Sequence, residues 1–341
     1  MRSIDGAGPQ ALTLGQSLVL TRLLAVGLLV ASAAAPAQSV PQTLAQINQA
    51  LQSGQADKAL ALLQSLPQGG ASIGDAQNLA CRVHYAEQVW DQAATECQQA
   101  VKLDAQNAVD HDWLGRAVGA KASHASFLTA FSLGKQARVE FETAVKLNPK
   151  NQNALVDVGN FYQQAPGIVG GGTDKAQAIA TQLDKVSPEQ AQLLRANIAE
   201  GQKDYVTAEK DFKAAIAASA HPAEEWTNLA SFYGRRSRFA DLDSAIQSCE
   251  TAAEKDPGIG LAFYDGAGVL IDVKRNPALA AKMLGEYIAS SSKTEDGPLF
   301  EAHVRLAILK KQLGDIAGAQ SERAAALALA HDYKPALELK F

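Results

Sequence analysis

Three cysteines, six histidines and one glycine-rich run are the residues of this chain whose types could support covalent, metal or phosphate chemistry. The histidines, His84, His111, His124, His221, His303 and His331, form neither a His-Glu-x2-His motif nor any cysteine–histidine spacing suited to zinc. The run Gly170-Gly171-Gly172-Thr173-Asp174-Lys175 lacks the Gly-Lys-Ser/Thr order that lets a lysine reach a phosphate, and no strand precedes it. No serine sits in a Gly-x-Ser-x-Gly elbow, and no cysteine belongs to a motif that would pair it with a catalytic histidine. The carboxylate pairs Asp110/Asp112 and Glu224/Glu225 read as charges at helix starts, where the helix dipole favours them. No enzymatic activity, metal or cofactor is expected.

What remains is recognition by side chains that a scaffold must position, and the composition says which scaffold. The 341 residues are 47% hydrophobic but only 6% aromatic, with net charge −5. That excludes a disordered chain and a basic nucleic-acid binder, and abundant Ala, Leu, Gln, Lys and Glu favour helices packed through small residues. Arg2 and Arg22 precede the apolar run 23–35, which ends in Ala35-Pro36-Ala37, the pattern of a Sec signal peptide with cleavage expected after Ala37. An uncleaved inner-membrane anchor is the alternative, because 18–35 is apolar apart from Arg22. Cleavage leaves residues 38–341 with net charge −6, in the periplasm or outside the cell.

A repeat accounts for the whole of that segment. Ala-x3-[large or soft apolar]-x2-[small or apolar] recurs at Ala59/Leu63/Leu66, Ala93/Cys97/Ala100, Ala137/Phe141/Ala144, Ala176/Ala180/Leu183, Ala208/Phe212/Ala215, Ala245/Cys249/Ala252, Ala280/Leu284/Tyr287 and Ala319/Arg323/Ala326. The i, i+4, i+7 spacing puts each triplet on one helical face. A second helix precedes each triplet, clearest in Trp226-x2-Leu229-Ala230-x2-Tyr233 and Leu155-x2-Val158-Gly159-x2-Tyr162, with a small or soft residue at the close approach: Cys81, Gly115, Gly159, Ala196, Ala230, Gly268 and Ala307. From that residue to the next alanine is 12 positions in four hairpins, beginning at Cys81, Ala196, Gly268 and Ala307.

These residues resemble the tetratricopeptide repeat (TPR) pattern W-x2-L-G-x2-Y, A-x3-F-x2-A, P. The resemblance implies an all-α, right-handed superhelical solenoid of about eight helix-turn-helix units starting near residues 40, 74, 108, 152, 189, 223, 261 and 300. Pro149, Pro188 and Pro257 fall at the inter-repeat proline. The first and last units are the least regular, as expected where one face meets solvent instead of a neighbour. Three hairpins are longer, and two of the insertions, at about 119–135 and 165–174, fall in consecutive units, so they should adjoin and could build a lobe. Phe127, Leu128 and Phe131 in the first either pack the extended hairpin or form a ligand-contacting ridge. The second reads as a turn followed by a helix capped at Thr173 or Asp174.

In an oxidising compartment Cys81 and Cys97, on facing helices of one hairpin, could form a disulfide or fill two tight slots; Cys249 should be a buried free thiol. The family resemblance implies that first helices line a concave groove that takes peptides. It places Asn48, Arg82, Arg116, Asn160 and Asn197 in that groove, with Tyr85, Asp112, Gln163, Glu200 and Arg235 one turn away. Amides and guanidiniums there could hold a peptide backbone or carboxylate, or could simply be solvated. The Lys/Asn/Arg set of chaperone-tail-binding repeat proteins is not reproduced. The expected function is a non-catalytic scaffold for a protein or peptide; the alternative is an accessory subunit holding an envelope glycan or other small or polymeric ligand through the lobe.

Overall fold

The computed structural model describes residues 39–67, 73–256 and 258–341; the expected export segment and Pro257 lie outside the described residues. Every described regular element is helical. Eight antiparallel hairpins follow one another: α1 (Val40–Gln52) with α2 (Ala56–Gln64), α3 (Ile73–Ala86) with α4 (Trp90–Leu103), α5 (Ala108–Ser123) with α6 (Phe127–Leu147), α7 (Gln152–Gln164) with α8 (Thr173–Leu183), α9 (Pro188–Gly201) with α10 (Tyr205–Ala218), α11 (Ala223–Arg235) with α12 (Phe239–Lys255), α13 (Leu261–Asp272) with α14 (Pro277–Ala289), and α15 (Leu299–Gln312) with α16 (Ile316–Leu329). A final turn, α17 (Lys334–Leu337), closes the chain. The architecture is a helical repeat solenoid.

Side-chain caps start several of these helices. Asn107, Asn151, Asp204, Asn276 and Asp315 each accept a backbone N–H of the first turn, satisfying a donor that the helix leaves unpaired. Small residues set the distance within and between hairpins. Gly115 lies under the Phe141 ring and Gly159 under Leu194, where an added Cβ would come within 2.6 Å of either side chain. Ala137, Ala144, Ala208 and Ala215 are fully buried beside Phe141 and Phe212, and burying each such phenylalanine contributes about 2–3 kcal/mol.

In the seventh hairpin the close approach is made by the fully buried Ala267 and by Gly266, packed under Met283, while Gly268 is partly exposed beneath Arg305. The α13–α14 turn holds two left-handed residues, Lys274 and Asn276, and is longer than the turns whose 12-residue interval suggested Gly268.

The terminal hairpins meet each other instead of solvent. Ile47, Leu51 and Val83 from the start of the solenoid share one buried cluster with Phe300, Val304 and Tyr333 from its end. Gly54 sits against the backbone of Leu299, and His331 pairs with Asp57 through its ring and its backbone N–H. The irregular triplet of the last hairpin has its own explanation: Arg323 Nε donates to the Ala336 carbonyl at 2.7 Å, holding α17 over α16.

The insertion near 119–135 does not form a loop. It lengthens the third hairpin, giving α5 16 residues and α6 21. The insertion near 165–174 forms a 3₁₀ turn at Gly167–Val169, followed by Gly170 at φ 102°. The helix after it is capped by Gly172, so Thr173 is its first helical residue rather than its cap.

Candidate functional site

The first helices of the hairpins converge on an inner face that is charged and partly filled by the chain itself. Arg82 on α3 donates from Nε and Nη2 to Glu295 at 2.9 and 2.6 Å and from Nη2 to Asn48 on α1 at 3.0 Å. Glu295 lies in the α14–α15 connection, and Gln52 also donates to it, at 2.8 Å. On α5, Arg116 donates to Asp157 on α7 at 2.5 Å and stands 3.7 Å from Asp112 and 3.9 Å from Asp296. Trp113 organises both guanidiniums, with Arg82 5.3 Å and Arg116 4.7 Å from its ring, while Tyr85 meets the same ring edge-on. Asn48, Arg82, Tyr85, Asp112 and Arg116 thus stand in one network, and its ligand is the acidic segment Glu295-Asp296.

Burial dominates the electrostatics here. It pushes Asp112 up to about 7, reinforced by the neighbouring Asp157 and opposed by Arg116. Asp157 is raised by burial as well, against the pull of Arg116. Asp265 on α13 is pushed to about 7 by burial and by Glu224. Asp296 is raised by burial against the pull of Arg116. Burial opposes the charge on Arg116, but Asp157 and Asp112 outweigh it and hold the guanidinium above its ordinary value. Asp112 Oδ1 is buried without a hydrogen-bond partner among the described residues. No three side chains among the described residues are arranged to hold a metal ion.

The middle of the inner face is different. Asn160 on α7, Asn197 on α9 and Asn228 on α11 line one hollow of about 140 Å³ with Gln190. Gln163 donates to the Asn197 carbonyl at 3.2 Å and Asn228 to the Glu224 carbonyl at 3.0 Å. Arg235 on α11 makes a two-pronged pair to Glu200 on α9 at 2.9 and 2.7 Å. No sequence pattern points to Asn228, Asp157, Asp265, Glu295 or Asp296, and Glu224 reads only as a helix-start charge. Repeat spacing from Asn160 and Asn197 leads to Ser231; Asn228 shares instead the register of Asp157, two residues before the small packing residue.

Asn160 also borders a second hollow of about 560 Å³, formed where the two insertions adjoin. Its walls are Phe127, Phe131, Phe141, Phe161, Ile168 and Val169, and Gln164 lies at its rim. Phe127 and Leu128 do not pack the extended hairpin: they are 79% and 80% exposed. Cys81 and Cys97 face each other on α3 and α4 with Cα atoms 5.2 Å apart and their sulfurs in bonding contact; Cys249 is buried and free.

No family model matches the chain, and no curated protein matches it in sequence. Among solved structures it is similar to TTC0263, a thermophilic TPR protein of Thermus thermophilus, at 18% identity and TM-score 0.47, over 56% of this chain and 97% of that one. It is also similar to a chain of the APC/C hetero-tetramer Cut9-Hcn1, at 12% identity and TM-score 0.40, over 88% of this chain and 55% of that one. The likeness is one of fold.

Proposed function

We propose that this chain is a non-catalytic scaffold that binds a protein or peptide segment on the inner face of its solenoid, at Asn160, Gln163, Asn197 and Asn228, in the periplasm or outside the cell. The observation that carries the reading is the amide row on α7, α9 and α11 around an open hollow. Side-chain amides offer a donor and an acceptor each, which suits a peptide backbone without specifying its side chains. Asn48, Arg82 and Arg116 belong to the same face but already hold Glu295 and Asp157, so they anchor the scaffold more than the partner. Export rests on the 23–35 run and its flanks alone; no described helix is long and apolar enough to cross a membrane.

The test is photo-crosslinking in cells, with the reactive group at Asn160 or Asn197 and a control at the outward-facing Lys210. Polypeptide adducts from the two inner positions and none from the control are expected. Equal capture at all three, or no polypeptide at Asn160 and Asn197, would sink the proposal, and adducts carrying saccharide alone would move the function to a glycan-holding subunit.

A further inference from the structure

The hollow between the insertions is apolar in its walls, open to solvent and flanked by two lysines that make no ion pair among the described residues. Six large apolar side chains line it, and Ile168 at its mouth is 67% exposed alongside Phe127 and Leu128. A contiguous apolar surface of this kind costs solvation in the free protein and marks an interaction site. Its volume of about 560 Å³ lies within the range of clefts that seat ligands.

The charges narrow the occupant. Residues 117–138 contain Lys121, Lys135 and Arg138 and no carboxylate, in a chain of net charge −5. Lys121 is neutralised by Asp91 at 2.7 Å and Arg138 by Glu142 at 3.1 Å. Lys135 and Lys175 make no ion pair among the described residues: the Lys135 ammonium lies 4.2 Å above the Phe131 ring, and that of Lys175 donates to the Gly170 carbonyl at 2.8 Å and faces the Tyr162 ring. One cation therefore stands beside each insertion. The cleft is concave and bears the amides of Asn160 and Gln164. The polar side chains of a peptide can use those amides, whereas a hydrocarbon chain has nothing to offer them.

We propose that this cleft is a docking site for an acidic amphipathic segment of a partner protein, its apolar side chains entering between Phe131, Phe161 and Val169 and its carboxylates meeting Lys135 and Lys175. The proposal rests on the peptide-binding reading above and extends it outward from Asn160, the residue shared by both hollows.

The experiment uses fluorescence anisotropy with a labelled helix-forming peptide of about five turns, Leu on one face and Glu on the other, beside its Lys-for-Glu counterpart. The Glu peptide should bind at least about tenfold more tightly at low salt than the Lys peptide. The exposed double variant Lys135→Glu/Lys175→Glu should reverse that order, and the uncharged Ile168→Asn should weaken both, with circular dichroism confirming the fold of each variant. Equal binding of the two peptides, or indifference to these substitutions, overturns the proposal. So does flotation with vesicles of phosphatidylcholine and phosphatidylglycerol in the absence of Glu-peptide binding, which would assign the cleft to a membrane surface. Failure of the two readings is distinguishable: crosslinked polypeptide at Asn197 without Glu-peptide binding removes only the docking site. Lobe-dependent Glu-peptide binding without capture at Asn197 removes the amide row instead.

Discussion

The Glu295 carboxylate receives both Nε and Nη2 of Arg82 across a separation of 213 residues, joining the α14–α15 connection to the second hairpin. Eight hairpins have brought the last repeat back to the first, and the pair stands beside the shared cluster of Ile47, Val83, Phe300 and Tyr333. A repeat array usually transmits stability only between neighbours. This one has an additional joint, and the acidic segment that makes it engages two of the cations that an open groove would offer to a peptide.

That joint is testable by a double-mutant cycle. Each side chain of the pair is 14% exposed, so removing one partner leaves a poorly solvated charge. Glu295→Ala and Arg82→Ala should each lower stability by about 2 kcal/mol, and the double variant by clearly less than the sum. Urea unfolding followed by circular dichroism measures all three; strict additivity would mean that the pair contributes nothing.

The hairpins were legible because Ala137/Phe141/Ala144 and its copies repeat a local pattern, and burial in a helical hairpin is a local demand. The closure was not. Gly54 and Leu299 touch with no spacing rule to connect them, and Glu295 and Asp296 lie in a connection of irregular length. Arg82 and Arg116 flank the Trp113 ring together, but the sequence carries no sign that their carboxylate partners come from within the chain. The offset of Gly268 has a local cause, since a constant interval cannot register the one extra residue of the turn around Lys274 and Asn276, which moves the buried position to Ala267.

Stability should fall as pH rises from mildly acid to mildly alkaline. Burial pushes Glu87, Asp112, Glu225 and Asp265 to about 7 each, above their ordinary values near 4. A raised carboxyl contributes stability that is full below the unfolded value and lost as pH climbs through the folded one. His84 acts in the same direction: burial would lower it, but Glu96 and Glu87 outweigh that and raise it, so its contribution also fades above its ordinary range. Glu209, held at about 2 by Lys213, Arg238 and Tyr233 against a desolvation that would raise it, works oppositely and sets the acid limit. The melting temperature at pH 5.5 should exceed that at pH 8 by roughly 5 °C. Asp265→Asn, which cannot ionise beside Glu224, should reduce the difference; an equal or higher melting temperature at pH 8 would refute the account.

Thiol counting checks the hairpin of α3 and α4. Cys81, Cys97 and Cys249 are all fully buried, and burial pushes the Cys249 thiol up to about 12. Protein isolated without reductant should show no reactive thiol when native, one when unfolded in urea and three after reduction. With 16 residues separating the bonded pair, Cys81→Ala/Cys97→Ala should cost about 2–3 kcal/mol. Three reactive thiols before reduction would show that the two cysteines only fill tight slots.

Two glycines separate closure from backbone strain. Gly54 and Gly314 both adopt the left-handed conformation, at φ 63° and 87°. A Cβ on Gly314 would meet nothing within 4 Å, whereas one on Gly54 would lie 2.5 Å from the Leu299 amide nitrogen and 2.7 Å from its Cβ. Alanine at either site bears the conformational cost of about 1 kcal/mol; only at Gly54 must it also push the ends of the solenoid apart. Gly314→Ala should therefore lose about 1 kcal/mol with its dimensions unchanged. Gly54→Ala should lose about 2–4 kcal/mol and show a larger radius of gyration by small-angle scattering. Equal losses and equal dimensions would mean that the first and last hairpins do not meet in solution, and that Arg82 is free to hold a partner's carboxylate after all.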